Sequence, residues 1–169
     1  ASRGPTYEGE EAFLQLVRRF VDVGGSIAGL MEEAVPANVW IDRRSGDLVH
    51  GGEIPRLRDL DVIPSPYLAG LMDPYYSTGL FPLMQISRGC PFTCAFCNSA
   101  AADNNKIHRH SLENIQRDLE HIARRVAPET PLCLADDNFG MYPWDEEVAE
   151  VIHHLQDRFG WPHYIRTTT

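Results

Sequence analysis

No run of apolar residues in this chain approaches the length of a membrane span, and the opening ASRGPTYEGEE lacks the basic-then-apolar texture of a secretory signal. Both absences lead to the expectation of a cytoplasmic protein. Basic residues are also scarce: 15 Lys and Arg stand against 24 Asp and Glu, a net charge of -9, and Arg43-Arg44 and Arg124-Arg125 are isolated pairs. Phosphate recognition needs a basic face, so nucleic acid is excluded as the main partner. No internal repeat or low-complexity tract is present, while 169 residues of 43% apolar content suffice to bury a core. Cysteine is rare as well, with four in all, yet three of them crowd together at Cys90, Cys94 and Cys97. In a reducing compartment, thiols at such short spacing are metal ligands more often than disulfides.

Apolar periodicity organises the rest. Phe13, Leu16, Val17 and Phe20 fall at helical spacing between Gly9 and Val23, behind the acidic Glu10 and Glu11, and Gly24-Gly25 ends the helix. The run GGSIAG at 24–29 lacks the strand-to-helix context of a phosphate loop and reads as that stop. Val39-Trp40-Ile41 and Leu48-Val49 flank DRRSGD, a hairpin pattern with Gly46 in the turn. Residues 51–82 are too rich in proline for regular helix or central strand and read as a linker wrapped over a neighbouring surface. After it, the spacing predicts a strand over Leu83 to Ile86, then the cysteine loop. A helix follows, capped by Ser111, with Leu112, Ile115, Leu119, Ile122 and Val126 on one stripe and Pro128 closing it. PLCLA (131–135) is a second strand and DDNFGMYP a loop. Val148, Val151, Ile152, Leu155 and Phe159 stripe another helix that stops at Gly160, and HYIRTTT begins a third strand. This alternation implies an α/β chain with right-handed crossovers and a parallel sheet. Three strands neither close a barrel nor cover both faces of a sheet, so the chain is expected to be a fragment.

The cysteines read CxxxCxxC, three thiolates on one tight loop that can face a single metal cluster. A closed structural zinc site wants four ligands, commonly two pairs from separate hairpins. Cys133 lies inside an apolar strand between Leu132 and Leu134, where a buried free thiol is the plainer reading. An iron left without a protein thiolate is an open coordination position for a small molecule.

In spacing, in the aromatic Phe96 before the last cysteine and in the preceding strand, RGCPFTCAFC resembles the signature of the radical S-adenosylmethionine (radical SAM) superfamily. The resemblance implies that Cys90, Cys94 and Cys97 hold three irons of a 4Fe–4S cluster and that SAM chelates the fourth. One-electron reduction then cleaves SAM to a 5′-deoxyadenosyl radical. A one-electron reductant such as flavodoxin or ferredoxin and a small-molecule or natural-product substrate are the implied partners, with substrate contacts expected largely from strands beyond this chain. YEGEEAF, DLDVIPSPYLAGLMD, SRGCPFTCAFC and DDNFG, in this order, further resemble the subfamily that carries an amino-terminal cobalamin-binding domain. The implied organisation has residues 1–50 as the carboxyl-terminal edge of that Rossmann-like domain, 51–82 as linker, and 83–169 as the first three β/α units of a partial TIM-type barrel. In that subfamily GEGE closes the cobalamin domain, whereas Glu8-Gly9-Glu10-Glu11 lacks the first glycine. The cobalamin-ligand motif Asp-x-His-x-x-Gly is absent from this chain, so cobalamin, and with it methyl transfer, is implied for the parent protein alone.

Further site residues are expected beside the cysteines. Asp136 and Asp137 follow the second strand directly, where the family contacts the amino group of SAM, and Asn138 is adjacent; the alternative for the acidic pair is that it simply starts and caps a loop. Phe96 is expected to shield the cluster and approach the adenine, Gly89 to allow the entry turn, and Arg88 to balance cluster charge. His108 and His110 flank Arg109 at the end of the cysteine loop, near where substrate would lie. His153 and His154 read as solvated. Arg166 and Thr167 to Thr169 end the third strand on the presumed active face. Gly51-Gly52-Glu53 has the letters of a SAM-contact motif but precedes the cysteines and reads as a turn. A non-catalytic iron–sulfur carrier and a zinc module completed by Cys133 or a histidine are the rival readings.

Overall fold

The first helix, α1 (Gly9–Asp22), forms over the expected span, with Glu10 and Glu11 in its first turn. The computed structural model describes residues 9–97, 99 and 105–167, so Tyr7, Glu8, Thr168 and Thr169 of the segments singled out above lie outside the described residues. The chain divides into two compact units, the first ending at Arg58 and the second starting at Asp59.

In the first unit the periodic stripe of α1 is not buried: Phe13 is 65% exposed and Val17 40%. A short helix, α2 (Ile27–Leu30), follows the glycine stop and is capped by the Ser26 hydroxyl, which accepts from Gly29 N at 3.1 Å. The hairpin forms as the sequence predicts, β1 (Val39–Ile41) antiparallel to β2 (Leu48–His50). At its exit Gly51-Gly52-Glu53 is irregular chain rather than the expected turn, and Gly51 is held by close approach: a Cβ there would sit 1.7 Å from the Val35 carbonyl oxygen, so no larger residue fits.

The second unit is built on three parallel strands. β3 (Leu83–Met84) is shorter than the four-residue strand expected, because beyond Met84 the chain leaves the sheet. Two residues on, β4 (Ser87–Arg88) pairs antiparallel with β5 (His108–Arg109), a ribbon that periodicity did not reveal. α3 (Leu112–Ala123) then crosses to β6 (Leu132–Leu134), and α4 (Pro143–Phe159) crosses to β7 (Ile165–Thr167). The sheet order is β3-β6-β7, all parallel, and α3 packs on α4. Both predicted stripes are in the core: Ile115, Leu119 and Ile122 from α3 meet Val148, Ile152 and Leu155 from α4. Leu132 and Leu134 face the same core at 0% and 1% exposure. Alternation turns Cys133 to the other face of the sheet, where its register neighbours are Leu83 and Arg166.

The boundary between the two units falls within the proline-rich stretch. Residues up to Arg58 belong with the first unit, whereas residues from Asp59 are strapped onto the second. Tyr67 enters the core, its hydroxyl donating to Leu83 O at 2.7 Å and accepting from Leu83 N at 3.0 Å. Ser65 Oγ donates to Asp118 of α3 at 2.5 Å, and Asp73 meets His121 at 3.3 Å and Arg125 at 3.5 Å. Prolines and polar side chains let this segment lie along β3 and α3 without a ladder of its own.

Candidate metal centre

The cysteine loop leaves the carboxyl end of β3 and returns at β5, and its neck is closed from two directions. On the entry side, Asp136 at the end of β6 is buried at 2% exposure. Its Oδ2 accepts from Ile86 N at 3.0 Å; its Oδ1 accepts from Ser87 N at 2.5 Å and Ser87 Oγ at 2.7 Å. Burial pushes this carboxyl above its usual range against the pull of those donors, and Asp145 nearby pushes the same way. On the exit side, His110 N donates to Ile86 O at 3.0 Å. Asp61, from the proline-rich strap, meets His110 Nδ1 at 3.2 Å and accepts from Ser111 N at 3.0 Å. Burial alone would raise the Asp61 carboxyl, but the hydrogen bonds from Ser111, Asn114 and His110 outweigh it and hold it at about 2.

Within the loop, Gly89 takes φ 113°, a backbone conformation that favours glycine, and so makes the entry turn. Cys90 is buried at 8% exposure, and Asn138 Nδ2 lies 3.1 Å from its sulfur. Cys94 and Cys97 are exposed and share one turn, Cys97 N donating to Cys94 O at 3.1 Å. The loop that presents Asn138 is shaped by buried Asp145, whose Oδ2 accepts from Gly140 N at 2.8 Å and Tyr142 N at 3.0 Å. Tyr142 stacks on Trp144 at 4.4 Å between ring centres, and Arg109 of the ribbon lies over Trp144 at 5.2 Å while reaching Glu147 at 3.7 Å. The Tyr142 hydroxyl is pushed up, first by burial and then by Cys90, Asp145 and Asp137 around it.

The expected site residues are therefore placed unevenly. Cys90, Asp136 and Asn138 converge at the carboxyl ends of β3 and β6. Asp136, expected at the amino group of SAM, has both carboxylate oxygens engaged by the backbone and hydroxyl of residues 86 and 87, and it serves the neck. Asp137 is exposed beside it, and Phe96 stands 93% exposed on the cysteine turn rather than covering a neighbour. Arg88 donates to Gln85 at 2.7 Å, Arg166 lies over Phe81 at 5.1 Å, and His153 and His154 are exposed on α4. Asp61 and Asp145 were not singled out by sequence reasoning. Asp61 lies in the quoted DLDVIP run, but nothing in a one-dimensional pattern pairs it with His110.

The donor chemistry suits an iron–sulfur cluster: three thiols on one short loop, one of them buried with an amide N–H directed at its sulfur. As the loop stands, no group of three His, Cys, Asp or Glu among the described residues is gathered closely enough to hold a metal ion. Cys133 lies within β6 and belongs to no such group. No helix among the described residues is long and apolar enough to cross a membrane.

No protein-family model matches the chain. Over 130 residues, 73% of its length, it is 34% identical to the cobalamin-dependent radical SAM methyltransferase TokK of Streptomyces tokunonensis, covering 19% of that protein. Over 130 residues it is also 32% identical to the 2-(S-pantetheinyl)-carbapenam-3-carboxylate methyltransferase of Streptantibioticus cattleyicolor, again covering 73% of this chain and 19% of the relative. An uncharacterized methyltransferase of Pyrococcus horikoshii, PH0819, is 31% identical over 114 residues, 66% of this chain and 23% of that one. The chain thus spans about a fifth of the length of the relatives it matches. With the cysteine loop at the end of a parallel strand and identity above 30% over most of its length, the chain belongs to the cobalamin-binding radical SAM family.

Proposed function

We propose that this chain joins the carboxyl-terminal edge of a cobalamin-binding domain, residues 1–50, through the stretch 51–82 to the amino-terminal part of a radical SAM catalytic domain, residues 83–169, in a cobalamin-dependent methyltransferase acting on a small molecule. The observation that carries the proposal is the convergence of Cys90, Asp136 and Asn138 where the parallel strands end, since such sheets bind ligands at their carboxyl edge. The sequential order β3-β6-β7, with α3 packed on α4, supports a barrel that grows in one direction rather than a doubly wound sheet.

In this reading Cys90, Cys94 and Cys97 would hold a 4Fe–4S cluster, with SAM as its remaining ligand. Held there, such a cluster would supply the one electron that cleaves SAM into methionine and a 5′-deoxyadenosyl radical, with a partner reductant restoring that electron. The chain's own residues do the positioning. Asp136 and Asp61 fix the two strands of the loop's neck, Gly89 turns the chain into the loop, and buried Cys90 is the anchored ligand. In this reading exposed Asp137 would meet the SAM ammonium and exposed Phe96 would cover the loop once it is loaded. Cobalamin belongs to the preceding domain of the longer protein.

The test is product formation. Full-length protein, purified anaerobically and given SAM and dithionite, is expected to release 5′-deoxyadenosine, and Cys90→Ala, Cys94→Ala and Cys97→Ala each to abolish it. Undiminished release from any of the three variants, or none from iron-loaded wild type, contradicts the reading.

A further inference from the structure

Asn138 lies in the loop after β6, and its side-chain amide points not to solvent but at the one buried cysteine, Nδ2 to Cys90 Sγ at 3.1 Å. We infer that Asn138 is a positioning residue that sets the reduction potential of the cluster through this hydrogen bond, an inference that rests on the function proposed above. A metal-bound thiolate has no hydrogen to give, so only the NH₂ end of an amide satisfies it, and that end is the one presented. A donor on the sulfur withdraws electron density from the iron–sulfur bond and stabilises the reduced, more negative state, which raises the potential.

The surroundings make an amide the suitable group. Asp136 and Asp137 precede it, and Asp145 fixes the same loop by accepting from Gly140 N and Tyr142 N. A third carboxylate at position 138 would face the sulfur across the same short gap and repel it. The half-buried position of Asn138 keeps water from replacing the contact at full strength.

The experiment compares full-length wild type, Asn138→Ala and the isosteric Asn138→Asp, each reconstituted anaerobically with iron and sulfide. The midpoint potential is read by electron paramagnetic resonance in a redox titration without SAM. Both variants are expected to shift to more negative potentials, Asn138→Asp further, by on the order of tenfold in the one-electron equilibrium or about 59 mV. Iron content and the melting temperature of the metal-free chain are measured alongside. Loss of the cluster from both variants with an unchanged metal-free melting temperature also counts for the contact; loss accompanied by a lowered one makes Asn138 a folding residue and counts against it. Cluster-bearing variants with the wild-type potential overturn this assignment alone. A wild type that takes up no 4Fe–4S cluster overturns the proposed function and this inference with it.

Discussion

Asp61 and His110 stand 49 positions apart in sequence and meet at 3.2 Å, the carboxylate also capping the backbone N–H of Ser111. A residue of the proline-rich strap thereby clamps the exit of the cysteine loop to the start of α3, while Asp136 clamps the entrance to the end of β6. The two ends of the loop thus carry order that a ligand set needs.

Asp61→Asn is expected to lower stability at neutral pH by about 1–2 kcal/mol, since hydrogen bonds to a charged acceptor are replaced by neutral ones and the side chain, 27% exposed, is partly screened. Because the folded-state pKa is depressed from 3.8 to about 2, the contribution is complete above the unfolded value and is lost as pH falls through that window. Urea denaturation across pH 7 to 2 should show wild type and variant converging at the acid end. A constant gap would show that the charge is not what matters.

Asp136→Asn is predicted to cost about 1–3 kcal/mol, because one amide NH₂ must face an N–H or O–H that now donates to a carboxylate oxygen. Asp136→Ala leaves three donors without that acceptor and should cost more. Both should lower the yield of cluster on reconstitution, measured as iron per chain. Wild-type stability with wild-type iron content in Asp136→Ala would remove the residue from the neck.

Tyr67→Phe removes a hydroxyl that both donates to and accepts from the backbone of Leu83, the first residue of β3. The ring stays in the core, so the loss of about 1–3 kcal/mol expected in denaturation isolates the strap's grip on the strand. Hydrogen exchange at Leu83 should accelerate; protection equal to wild type would contradict the account.

Cys133→Ala separates the three proposed ligands, Cys90, Cys94 and Cys97, from the fourth cysteine. Its side chain is on the face of β6 away from the helices, beside Leu83 and Arg166 in register, so iron content and sulfide content should be unchanged. Loss of metal in this variant would point to a fourth protein ligand and revive the zinc or electron-carrier reading.

What the sequence disclosed and what it hid divide along physical lines. The helices α3 and α4 were legible because one apolar stripe on each faces a core, and their caps at Ser111 and Gly160 are local chemistry. The three cysteines were legible because spacing on one loop is a one-dimensional property. The strap was hidden: Asp61, Ser65, Tyr67 and Asp73 bind residues far along the chain, and proline-rich sequence has no period to announce such contacts. Asp136 and Asn138 were found as neighbours of the site, but which groups they face depends on where β3 and β6 end relative to one another. The stripe of α1 shows the converse, a clear period with Phe13 and Val17 left exposed at 65% and 40%.

The most direct measurement is the electron paramagnetic resonance spectrum of the anaerobically reconstituted, reduced full-length protein before and after SAM is added. Three cysteines that leave one iron to the cofactor predict four irons and four sulfides per chain and a spectrum that changes with SAM. A colourless protein with stoichiometric zinc, or a four-iron spectrum that SAM leaves untouched, would contradict the account.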